Sequence, residues 1–178
     1  SVVFSEKFSY PLFSELMYFG YFSYYLIPLS AFVIIWIKKR SYFNEFAFIT
    51  ISAYFVYYLI FIIIPAHGPQ YYFPAPLNLI EAQGPFGYIQ KLIQHYGEAP
   101  TAAFPSAHVG VSVIVLILLF KNHKTLFTIL LPFCILLMFS TVYIKAHYFV
   151  DVLAGLISAF IVLIINKHIF KKLNSFSV

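Results

Sequence analysis

Two short stretches of this chain carry side chains able to hold an anion and move a proton. The first is Ala103-Phe104-Pro105-Ser106-Ala107-His108, immediately ahead of an apolar run that begins at Val109. Pro105 suits the start of a helix, Ser106 can cap it, and the free N–H groups of a helix start attract phosphate. His108 then falls in the first turn, within hydrogen-bond reach of an anion bound there; the plainer alternative is a capping serine beside a structural histidine. The second stretch is His147-Tyr148-Phe149-Val150-Asp151. A spacing of four places both end residues on one helix face. Asp151 can accept the imidazole N–H of His147 and fix its tautomer, leaving the other nitrogen free to attack. Lys145 stands two residues earlier, where its charge can neutralise phosphate oxygens. A buried, merely structural His–Asp pair is the alternative. His67, His108, His147 and Asp151 are metal donors if they converge, but neither an HExxH nor a cysteine-rich signature is present, so the site reads as metal-free.

The elements that must position these residues are membrane helices. Of 178 residues 62% are hydrophobic and only 10% charged, against about 45–50% and about 25% in soluble domains. Apolar side chains this abundant need lipid to hide in. The composition excludes an ordinary globular enzyme, a disordered tail and a nucleic-acid binder working through a basic surface. The expected fold is all-α, a polytopic transmembrane helix bundle forming a single domain over residues 1–178. Five stretches approach the ~20 apolar residues of a spanning helix: Met17–Ile37, Phe46–Ile64, Ser106–Phe120, Thr125–Ile144 and Tyr148–Asn166. The third is short, so its start is expected below the membrane surface. Cys134, the single cysteine, reads as a small packed thiol.

Charge orients the bundle. Lys38, Lys39, Arg40, Lys121, Lys124, Lys167, Lys171 and Lys172 alternate onto one side and account for 8 of the 11 basic residues. That side is cytoplasmic by the positive-inside rule, which puts the C-terminus inside and Ser1 outside. Both chemical stretches then face the extracytoplasmic side, in a membrane read as a bacterial cytoplasmic (inner) membrane. The same side carries a long proline- and glycine-rich loop over residues 65–105, and loops of this length are usually functional or disordered. Ser5–Phe19 has apolar residues at helical spacing and reads as an amphipathic N-terminal surface helix. Residues Ser1 to Leu16 lack the features of a signal peptide. Trp36 and many of the tyrosines read as interface anchors.

Taken together, Ala103–His108 and Ser140-Thr141-Val142-Tyr143-Ile144-Lys145-Ala146-His147-Tyr148-Phe149-Val150-Asp151-Val152-Leu153-Ala154-Gly155 resemble the type 2 phosphatidic acid phosphatase superfamily. In that family a Pro-Ser-x-His motif opens one membrane helix, and Ser-Arg-x5-His-x3-Asp bridges the last two. The resemblance implies a six-span bundle, whose first span would precede Ser1, a metal-free mechanism without cofactor, and a lipid phosphate as the partner drawn from the bilayer. It also implies roles. His147 matches the nucleophile that forms a phosphohistidine, and Asp151 its orienting carboxylate. His108 matches the acid that protonates the leaving oxygen, and Ser106 a phosphate-binding hydroxyl. Thr141 stands where the family has arginine, with Lys145 one turn on to replace its charge. The family's first motif, Lys-x6-Arg-Pro, is absent; Pro65-Ala66-His67-Gly68-Pro69-Gln70 stands in its place. His67 is there either a substitute phosphate donor or part of a turn, and Gln70 is a second phosphate-binding candidate. Glu81, Lys91, His95 and Glu98 either shape head-group access or are solvated loop residues.

The expected activity is therefore that of a phosphoric monoester hydrolase acting on lipid phosphates. The thinned phosphate clamp is also similar to a divergent branch of phosphotransferases such as inositol phosphorylceramide synthase, which gives a transferase as the first alternative. A non-enzymatic membrane assembly or transport subunit is the second. The two histidines need opposite protonation states, which predicts a bell-shaped pH profile.

Overall fold

The computed structural model describes residues 2–73, 84–97 and 101–175. Ser1, Glu81 and Glu98 lie outside the described residues. All regular structure among the described residues is helical: α1 (Val2–Lys7), α2 (Pro11–Lys38), α3 (Arg40–Ile63), α4 (Pro69–Tyr72), α5 (Pro85–Gly97), α6 (Ala107–Asn122), α7 (Lys124–Tyr143) and α8 (Phe149–Ser175). The single extended pairing described is an isolated parallel bridge between Ala66 and Ala102.

Four helices, α2, α3, α7 and α8, are long and apolar enough to cross a membrane. The shortest of them, α7, has 20 residues, which at ~1.5 Å per residue matches a hydrocarbon core ~30 Å thick. Their exposed faces are apolar as well: Leu29, Val33, Ile62, Ile63, Ile157 and Ile164 all face outward. A helix apolar all round is at home only in a protein interior or in lipid. The N-terminal region differs from a single amphipathic surface helix. Pro11 lacks the N–H that would continue a helix and drives the preceding residue out of the helical region, as the extended Tyr10 shows. The chain breaks there, and residues 11–19 become the first turns of α2.

The short helix α6 is the axis of the bundle. Its 16 residues extend only ~24 Å, and it packs against all four long helices. Val109, Gly110, Val111, Ile114, Val115, Leu118 and Leu119 are buried in turn around its circumference. Two glycines make this closeness feasible. A Cβ on Gly110 would collide with the phenol of Tyr57, which crosses from α3 to meet Ser158 of α8 with 2.9 Å between the oxygens. A Cβ on Gly155 would lie 2.6 Å from the backbone oxygen of Ser106, so α8 meets the start of α6 through bare backbone.

The two ends of the bundle differ in chemistry. At one end Lys121, Lys171 and Glu45 lie close enough to Lys167 to act on its charge. The residues singled out for chemistry gather at the other end. There Glu15 of α2 accepts hydrogen bonds from the backbone N–H groups of Gly84, Phe86 and Gly87, at 2.9, 3.1 and 3.1 Å, and so caps α5 and holds it against α2. Gly155→Ala should force α6 and α8 apart at the chemical end, with an overpacking cost of about 1–3 kcal/mol. The expected readout is a lower thermal unfolding midpoint in detergent; an unchanged midpoint would contradict the close approach.

Candidate active site

The turn between α7 and α8 sets the position of His147. α7 ends at Tyr143, and Lys145 takes up a left-handed conformation (φ 64°). This is the position just past a helix end that glycine usually fills. Its N–H returns to the Val142 carbonyl at 3.3 Å, and the His147 N–H reaches the Thr141 carbonyl at 3.0 Å. Thr141, at the arginine position of the family motif, is buried, and its hydroxyl donates to the Met138 carbonyl. Asp151 caps the next helix by accepting the Tyr148 N–H at 2.8 Å, one half of a capping box.

His147 is buried between this turn and the segment ahead of α6. Its Nδ1 lies 2.8 Å from the Ala103 carbonyl. A carbonyl only accepts, so Nδ1 carries the hydrogen, and neutral His147 presents an unprotonated Nε2. Nε2 in turn faces His108 Nδ1 at 3.2 Å. The carboxylate of Asp151 lies 3.7 Å from His147 Nδ1. That is beyond a direct hydrogen bond, so the group that fixes the tautomer is the Ala103 carbonyl, with the aspartate as a nearby charge.

Backbone bonds stitch the two segments together. Ser106 N–H donates to the Asp151 carbonyl at 3.0 Å, Ala103 N–H to Ala66 at 3.1 Å, and Gln70 N–H to Lys145 at 2.9 Å. Gly68 permits the last of these, since a Cβ there would strike the Ala146 carbonyl.

A cavity of about 380 Å³ opens beside the histidines, lined among others by His108, Gln70, Gly68 and Ala103. Gln70 also accepts from Gln94 of α5 at 2.8 Å, which brings the amphipathic α5 to the rim. The remaining residues singled out from the sequence lie elsewhere. Ser106 is fully buried and its hydroxyl accepts the Val109 N–H at 3.4 Å as the α6 cap. His67 is exposed. Lys145 is buried and is not among the residues lining the cavity; its charge is felt instead by Glu6 of α1. Lys91 and His95 are exposed on α5. Among the described residues no three His, Cys, Asp or Glu side chains converge as a metal ion would require.

The greater part of the cavity wall is aromatic, a feature that reading the tyrosines as interface anchors missed. Tyr21, Tyr24 and Tyr25 of α2 and Tyr54 and Tyr58 of α3 all line it. Two of these rings rest on His108, with centroids 4.7 Å (Tyr21) and 4.2 Å (Tyr24) from it. The sequence signal was there in the spacing: each set recurs at helical intervals and so shares one face.

Comparison with known proteins places these features in a family. A family model described as the PAP2 superfamily matches residues 8–165. A PA-phosphatase related-family protein of Dictyostelium discoideum is 32% identical over 110 residues, 60% of this chain. The match covers 20% of that relative's length. No solved structure matches.

Lys145 gives a prediction with a definite sign. Burial lowers its pKa below the usual 10.5, opposed by the Glu6 carboxylate. The unfolded chain therefore binds this proton more tightly, and stability should rise with pH through the window beneath 10.5. Lys145→Met should raise the thermal midpoint at neutral pH and flatten that rise. A variant less stable than wild type at neutral pH would mean that the ammonium holds the turn together.

Proposed function

Because the chain belongs to the PAP2 superfamily, we propose that it breaks a phosphate ester of a lipid on the extracytoplasmic side of its membrane, with His147 as nucleophile. The observation that carries this reading is the histidine pair. His147 has one nitrogen committed to a carbonyl and the other aimed at His108, which lines the cavity. Such an arrangement holds a nucleophile and a proton carrier around a single reacting atom.

The steps follow from the two rings. A phosphoryl group enters between Nε2 of His147 and the His108 ring, displacing their mutual contact. Nε2 attacks phosphorus while the bond to the lipid oxygen breaks, and protonated His108 gives that oxygen its proton. Water then attacks phosphorus from the cavity, yields a proton to His108, and the P–N bond breaks. The Ala103 carbonyl and the Asp151 carboxylate stabilise the positive charge that grows on His147 as it attacks. Gln70 and the backbone N–H groups of Ala107 and His108 at the start of α6 supply hydrogen bonds to the phosphoryl oxygens. Lys145, buried behind the turn, contributes positive potential from a distance. The lipid tail leaves the cavity along the apolar helix faces.

A second reading has the same intermediate resolved by a lipid alcohol instead of water. It is favoured by the lack of Lys or Arg among the described residues of the cavity wall, which leaves a free phosphate dianion only the His108 proton as counter-charge.

His147→Ala should lower phosphate release from lipid phosphates by at least ~1000-fold; wild-type-like turnover would sink the nucleophile assignment. Asp151→Asn should lower it by ~100-fold or more while the protein still unfolds cooperatively. Turnover should persist in EDTA and peak at a pH where one histidine is neutral and the other protonated. Loss in EDTA restored by one divalent cation would replace this mechanism with a metal-assisted one.

A further inference from the structure

One wall of the cavity is not used by any step of phosphate cleavage. Its rings run as a series: Tyr25 to Tyr24 at 5.2 Å, Tyr24 to Tyr54 at 6.3 Å, Tyr54 to Tyr58 at 6.4 Å, and Tyr58 to Phe61 at 6.4 Å. Within the series Tyr24 lies against His108, with its centroid 4.2 Å away, and Tyr58, toward the far end, is 54% exposed. Among the described residues lining this cavity there is no Lys, Arg, Asp or Glu.

That combination selects a ligand by charge. A phosphate monoester carries close to two negative charges, and bringing it here would desolvate them with no Lys or Arg among the described wall residues and only the single proton of His108 to set against them. A zwitterionic phosphodiester brings only one negative charge and its own compensating positive one. Tyrosine faces attract a cation through their quadrupole, most effectively one that is weakly hydrated and makes no hydrogen bonds. A polyol head group needs several directional polar partners; Gln70 is the one amide side chain among the described lining residues, so a polyol would find its other partners in the tyrosine hydroxyls. The volume of about 380 Å³ lies within the usual ligand-pocket range of about 300–1,000 Å³.

We infer that the tyrosine wall formed by α2 and α3 receives the quaternary ammonium head group of a zwitterionic phosphodiester lipid, with its phosphorus at the His108–His147 pair. This rests on the reading of His147 as nucleophile and names the substrate class of that site. Nε2 of His147 bonds to phosphorus as the P–O bond to the lipid alcohol breaks, and the lipid oxygen takes the proton of His108. The ammonium-bearing phosphoryl group stays on His147, its cation held by the tyrosines. Water or a second alcohol then attacks phosphorus, returns a proton to His108 and frees Nε2.

The test compares binding and cleavage of three short-chain lipids by the purified chain in a maltoside detergent. They are phosphatidylcholine, its uncharged isostere with carbon in place of the quaternary nitrogen, and phosphatidate. Wild type should bind phosphatidylcholine about tenfold more tightly than the isostere, and more tightly than phosphatidate. Tyr54→Phe should keep that preference, while Tyr54→Leu and Tyr58→Leu should reduce it; His147→Ala should keep binding and lose cleavage. Equal affinity for choline lipid and isostere, or a preference that survives both leucine variants, overturns the head-group assignment. Phosphatidate bound and cleaved in preference overturns it while upholding the nucleophile. A choline preference without cleavage of any lipid upholds the head-group site and overturns the catalytic reading.

Discussion

The chemical end of this bundle depends on one hydrogen bond, between His147 Nδ1 and the carbonyl of Ala103 at 2.8 Å. It joins residues 44 positions apart in the chain and fixes which imidazole nitrogen carries hydrogen. Everything around it serves to hold its two ends. On one side the left-handed turn at Lys145 and the Thr141 carbonyl set the His147 backbone. On the other, the bond from Ala103 to Ala66 and that from Ser106 to the Asp151 carbonyl tie down the segment ahead of α6. A lysine in a conformation suited to glycine is a local cost, and such costs concentrate where geometry matters more than stability.

A short central helix surrounded by longer ones accounts for where the site lies. α6, about 24 Å long, does not reach across a full bilayer core, and its first residues Ala107 and His108 line the cavity. The glycines at 110 and 155 let α3 and α8 close on it, which leaves the cavity on the side facing α2 and α3. The cavity is thus an outcome of the packing, bounded by the same helices that carry its tyrosines.

Much of this was legible in the sequence, for identifiable reasons. Apolar runs punctuated by basic clusters mark membrane helices through a solvent constraint that tertiary contacts cannot override, and all five expected spans are helices. The order Pro105-Ser106-x-His108 is a local pattern that survives folding, with Ser106 as the α6 cap, whereas His147 lies ahead of α8 instead of on its face and comes only within 3.7 Å of the Asp151 carboxylate. What was not legible depends on contacts distant in the chain. No periodicity reveals that the His147 ring donates to the Ala103 carbonyl, because a backbone acceptor has no residue type. Lys145 reads as a phosphate ligand by its charge and proximity in sequence, yet its backbone is left-handed, and its side chain is buried and not among the residues of the cavity wall. The tyrosines were ambiguous, since interface anchors and cavity walls share a composition and differ only in which face they occupy.

The most direct measurement of the central claim is to trap the covalent intermediate. Wild-type protein mixed with a lipid phosphate labelled on phosphorus and quenched in alkali should carry label on His147, as a P–N bond that is stable to base and lost in acid, located by peptide mass spectrometry. Label on any other residue, or turnover with no label on protein, would contradict the account.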